Sequence, residues 1–155
     1  MAGHILSGQM LVNGTDIWDE YGVFLTEEKS GGRDNLNALL SASKTKGHVG
    51  VDLREENGKK YSQSLTVRNE ERDLTLSFAQ YAGSRSEWLS RYRSFIGFLK
   101  QGDNGWLTLS FPTIGLELRV FYLSSSGFRG LTHLWSEGVQ AGRYKVTFRE
   151  PTPVL

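Results

Sequence analysis

An antiparallel β-sandwich or barrel carrying one principal helix is the fold class this sequence predicts, and three observations predict it. Apolar residues alternate with polar ones in several short runs, the period of a strand with one buried face: Leu74, Leu76 and Phe78; Leu116, Leu118, Val120 and Tyr122; Tyr144, Val146 and Phe148. Turn-forming residues separate the runs at short intervals, among them Asn13-Gly14, Asn57-Gly58 and Asp103-Asn104-Gly105. Only one long stretch, residues 84–101, repeats its apolar residues at helical spacing.

In that stretch Leu89, Tyr92, Phe95, Ile96 and Leu99 fall on one side of a helix and are expected to pack on the sheet. Ser84 followed by Glu87 has the spacing of a capping box, and Gly102 stands where a helix can end. Arg85, Arg91, Arg93 and Lys100 read as a solvated face rather than a nucleic-acid contact.

Taken in order, residues 1–8 read as a flexible amino-terminal tail of the single domain 1–155, able to add a strand to a neighbouring subunit. Residues 10–12 read as a short strand, and 21–26 as a second beyond the Asn13-Gly14 turn. Between 27 and 50 the pattern dissolves into a long loop or arm with one apolar island, Leu36, Leu39 and Leu40, which could start a helical turn at Asp34. One reading makes Leu36, Leu39, Leu40, Lys44 and Lys46 a subunit interface; the other folds the leucines back onto their own core. Val49, Val51 and Leu53 predict a hairpin arm turned at Asn57-Gly58, with a return strand from Tyr61 through Leu65 and Val67. The strand 106–111 is expected beside 74–78, and 116–122 antiparallel to 106–111. Residues 124–142, rich in serine and glycine, read as a variable connection that could carry a short edge strand before the last strand, which Pro151 and Pro153 end.

Composition excludes several chemistries. A chain of 155 residues with formal charge +1 is one domain long and lacks the concentrated positive charge of a phosphate-led DNA binder. The chain has no cysteine, so disulfides, thiolate nucleophiles and cysteine zinc sites are absent. The amino terminus carries no leader pattern and no segment is long and apolar enough to insert in a membrane, so a cytoplasmic site of synthesis is expected. His4, His48 and His133 stand far apart, at no metal-ligand spacing, and read as surface or structural residues. Asp52, Glu55 and Glu56 read as charges on a hairpin tip, and Asp16, Asp19 and Glu20 likewise as solvated. Serine lies in no nucleophile elbow and Gly58-Lys59 in no phosphate loop, so catalytic, cofactor and metal residues are all expected to be absent. Trp88, Trp106 and Trp135 could form a sugar platform on a β-sandwich, the alternative function being a carbohydrate-binding module, or could be core.

The order of these features resembles the tail-tube-like domain of tailed phages, above all the distal tail proteins. Asn13-Gly14-Thr15-Asp16 is followed by Tyr21-Gly22-Val23, a long loop, an Asn-Gly hairpin, and the strand Asp73 to Phe78. An aromatic-rich helix follows, then a strand pair ending in Arg119-Val120-Phe121-Tyr122. The resemblance runs from about residue 9 to 151 and implies a non-enzymatic structural subunit of a virion tail. It also implies self-assembly into a homo-oligomeric ring, commonly a hexamer, with contacts to other tail or baseplate proteins. DNA would pass through the channel without specific binding.

Overall fold

The computed structural model describes residues 7–27, 31–132 and 138–155. Along the chain run β1 (Leu11–Val12), β2 (Thr15–Asp16), α1 (Ile17–Tyr21), β3 (Val23–Leu25), α2 (Asp34–Leu40), β4 (Gly50–Asp52) and β5 (Lys59–Tyr61). Then come β6 (Arg72–Ala82), α3 (Arg85–Gln101), β7 (Leu107–Phe111), β8 (Leu116–Gly130) and β9 (Gln140–Glu150). The molecule is mainly β: seven strands in the order β2-β1-β7-β8-β9-β6-β3 form an antiparallel half-barrel with one main helix, while β4 and β5 make a separate two-stranded hairpin.

The bend of the sheet lies in β8. Its first part, Leu116 to Val120, pairs with β7, and its second part, Phe121 to Gly130, pairs with β9. Register shifts between Tyr122 and Ser124 and between Ser126 and Arg129 add residues on β8 only, which sharpens twist and turns the strand from one half of the sheet into the other. Gly127, at φ 63°, supplies the left-handed residue for the second bulge.

Inward residues from both halves meet in one core. Leu74, Leu76 and Phe78 of β6 stand opposite Phe148, Val146 and Tyr144 of β9, and Leu107 and Leu109 of β7 stand opposite Val120 and Leu118 of β8. Helix α3 closes the open face, with Ser84 Oγ accepting from the Glu87 amide at 3.3 Å and the Gly102 amide donating to Phe98 O at 2.9 Å. Phe95 and Leu99 are buried, Tyr92 and Ile96 are half-buried against the core, and Leu89 is half-buried. Trp88, outside the expected stripe, is 1% exposed and sits one turn before Tyr92 on the buried side.

Four local expectations are corrected. Tyr21, expected to open the second strand, instead ends a helix over residues 17–21, because Asp16 Oδ1 accepts from the Trp18 amide and Gly22, at φ 68°, ends the turn. Strand β7 lies between β1 and β8, not beside β6. A 17-residue helix spans about 25 Å, whereas adjacent strands are about 4.8 Å apart, so α3 carries the chain across the open face to the far half of the sheet. The return arm of the β4–β5 hairpin ends at Tyr61, and Leu65 and Val67 beyond it are exposed. Residues 124–130, expected in a connection with room for a short edge strand, instead continue the long strand β8, held by the ladder to β9. The Asn13-Gly14 turn does form, with φ of 51° and 81° and the pairs Val12↔Thr15 and Leu11↔Asp16. His4, His133, Trp135 and most of the expected tail lie outside the described residues.

Candidate assembly surfaces

Helix α2 is fastened to the sheet by a buried asparagine. Asn35 Nδ2 donates to Thr26 O at 2.8 Å, and its Oδ1 accepts from the Ser77 amide at 2.7 Å, so the side chain extends the edge of β6 where β3 stops. Glu27 caps the helix by accepting from the amides of Asp34 and Asn35. This orientation sends Leu39 into the core, 3% exposed, and leaves Leu36 and Leu40 outside. Leu39 is therefore occupied within its own chain and is not available to a partner, which corrects its place among the expected interface residues. Lys44 and Lys46 are exposed, but their backbones are not: Lys44 O accepts from the Glu70 amide and the Lys46 amide donates to Arg68 O, both at 2.7 Å.

Those two bonds form the root of an arm, residues 41–71, that leaves and re-enters the sheet at Arg72. Arg72 Nε meets Glu150 Oε1 at 2.6 Å, Arg72 Nη1 donates to Ser41 O, and both side chains of the ion pair are buried. A buried charge pair is tolerated when its remaining donors find acceptors, as Nη1 does here. Beyond the root, the hairpin carries apolar side chains with nothing over them. Val49 is 91% exposed, Val51 57% and Val67 57%, and Leu53, Tyr61 and Leu65 are also exposed. Val49, Val51 and Leu53 lie on one face of the strand direction, because alternate residues share a face. On the other face the Tyr61 ring lies over Gly50, where an added Cβ would meet it at 2.8 Å. A two-stranded hairpin is marginal by itself in water, and this one is not part of the main sheet. Sequence reasoning placed the interface on the α2 leucines and two lysines; the exposed alternation of Val49, Val51 and Leu53 was the signal for the arm itself.

The aromatic residues offer no flat platform among those described. Trp88 is in the core, donating to Gln80 O at 3.0 Å, and Trp106 has the Arg119 guanidinium 4.6 Å from its ring centroid and the Phe121 ring set edge-on at 5.7 Å. Among the described residues no three His, Asp or Glu side chains gather where a metal could sit, and no helix is long and apolar enough to cross a membrane. The displaced titrations have local causes. Burial pushes Tyr144 well above the usual phenol range, and burial also raises Tyr21 and Tyr122. The hydrogen bond from Arg149 holds Asp73 below the usual carboxylate range, on the outer face of the sheet.

This bent antiparallel sheet with one main helix is a Dit-like fold, that of a phage distal tail protein. One solved structure the chain resembles is the crystal structure of phage SPP1 Dit, described as a paradigm of the hub of the adsorption apparatus in phages that infect Gram-positive bacteria. The two superpose with a TM-score of 0.57 at 12% identity, over 92% of this chain and 49% of that one. The chain thus spans about half the length of the solved structure. No family model and no curated protein sequence matches it.

Proposed function

We propose that the chain is a structural subunit of a phage or phage-like tail, of the distal tail type, which assembles with copies of itself into a ring around a channel. The observation that carries this reading is the uncovered apolar row of Val49, Val51 and Leu53 on a hairpin outside the sheet, in a fold shared with a phage hub protein. Burial of such a row against a neighbour stabilises both the arm and the contact, at roughly 25 cal/mol per Å² of apolar surface removed from water. A head-to-tail contact of this kind closes into a ring when its rotation divides a full turn. Six subunits, contacts to other baseplate proteins, and DNA passing through without specific binding complete the proposal. The chain's role is mechanical, with no catalytic step.

Light scattering coupled to size exclusion tests it. With rising concentration the wild-type chain should form ring-sized particles, while Val49→Ser, Val51→Ser and Leu53→Ser together should leave a monomer of unchanged Tm, since these side chains touch no core. A wild-type chain that stays monomeric at every concentration and binds glycans would instead favour the carbohydrate module.

A further inference from the structure

The geometry points to a phosphate-binding pocket on the outer face of the sheet, between β8, β9 and β6. Arg129 on β8 stands directly opposite Arg143 on β9, and Lys145, two residues along β9, shares their face. Ser77 of β6 stands opposite Lys145, and Thr26 lies next to Ser77 through the Thr26 amide bond to Ser77 O. Together these residues line a cavity of about 270 Å³.

Two like charges placed directly across a ladder repel one another, so a bound counter-charge would stabilise the pair. Among the described residues, the neighbouring carboxylate does not supply it. Glu27 takes Arg143 Nη2 on its backbone oxygen at 3.3 Å, but its carboxylate is committed to the first amides of α2. Lys145 is already engaged in a contact of its own, so the case rests on the two guanidinium groups and the two hydroxyls. Gly127, left-handed at φ 63°, also lines the pocket.

This donor set fits a tetrahedral oxyanion better than a carboxylate. Each guanidinium presents a planar fork of N–H groups that matches two phosphate oxygens, and a phosphate has a further oxygen for Ser77 or Thr26. A carboxylate, with one charge and two oxygens, has fewer acceptor sites and less charge to offer this donor set. The cavity accommodates a phosphate together with an ester substituent, so the group could come from free phosphate or from the phosphodiester backbone of a nucleic acid. The inference stands whether or not the chain forms rings.

The intact chain is titrated with inorganic phosphate by calorimetry and, separately, with a fluorescein-labelled single-stranded oligothymidylate by anisotropy at low and moderate salt. Arg129→Gln with Arg143→Gln should weaken at least one probe by about tenfold or more and, for the oligonucleotide, flatten the log–log salt slope by about 0.7 for each phosphate no longer neutralised. Lys59→Gln with Lys60→Gln, which removes the same charge from the tip of the arm, should change binding little. Response to phosphate alone assigns a free-phosphate site; response to the oligonucleotide assigns the phosphodiester. Arg129→Gln alone relieves the opposed charges and should keep or raise Tm, which separates weakened binding from failed folding. Failure of both probes to bind the wild type, or an equal loss in the pocket and arm-tip variants, overturns the proposal.

Discussion

At Gly142 a missing side chain makes room for the largest residue of the core. A Cβ there would lie 2.8 Å from Trp88 Cζ2. Trp88 cannot easily retreat, because its indole N–H is bonded to Gln80 O and its ring stacks on Tyr92 with centroids 5.2 Å apart. Gly142→Ala should therefore overpack the site and cost about 1–3 kcal/mol, read as a lower midpoint in urea unfolding. Tyr144 has the opposite sensitivity, to alkali. Its hydroxyl donates to Gln80 Oε1 at 3.2 Å, and burial raises its pKa well above the ordinary value of 10.0. A group whose folded pKa is raised contributes stability that is complete below the unfolded value and is lost as pH rises past it, since only the unfolded phenol can ionise readily. Tm should fall as pH climbs beyond about 10. Tyr144→Phe should reduce that slope without abolishing it, because Tyr21 and Tyr122 are raised too.

Among the elements, α3 was legible from end to end, since its caps and its spacing are local. Ser84→Ala removes the acceptor for the Glu87 amide and should cost about 1 kcal/mol, measurable as a shift in urea midpoint at constant slope. Its buried face was read less completely. Trp88, Tyr92, Phe95 and Leu99 follow the spacing of one stripe, yet a tryptophan at the helix start is equally compatible with an exposed binding surface until the facing strand is known. Short elements were harder. Helix α1 has five residues and is specified by Asp16, whose carboxylate also accepts from the Gly8 amide and the Ser7 hydroxyl, so a residue that reads as a solvated charge is a cap with three partners. The outer half of β8 has serines and glycines where a strand ordinarily shows alternation, and only its pairing with β9 reveals it.

On the scale of the whole molecule, the arm and the half-barrel join at one buried pair. Arg72 begins β6, Glu150 ends β9 directly across from it, and Ser41 O, where the arm leaves, takes the remaining guanidinium bond. Arg72→Met leaves Glu150 buried without its partner and should cost about 3–5 kcal/mol. Arg72→Met with Glu150→Leu should recover most of that loss in a thermal scan, while freeing the root of the arm and raising the concentration needed for oligomers to persist. If the single and double variants unfold alike, the pair does not act as a unit. The likeness to SPP1 Dit belongs to this scale as well: at 12% identity it is carried by the path of the chain, not by shared side chains.

The sequence by itself determined the elements whose causes are local: the Asn13-Gly14 turn, the capped helix, and the strands with one greasy face. It also carried the mainly β class, because alternation and turn spacing are properties of neighbouring residues. Strand order, the bend in β8 and the inward turn of Leu39 were decided by tertiary structure. Each depends on which strand a helix about 25 Å long can reach, or on which of two faces a partner covers, and no short-range pattern encodes either.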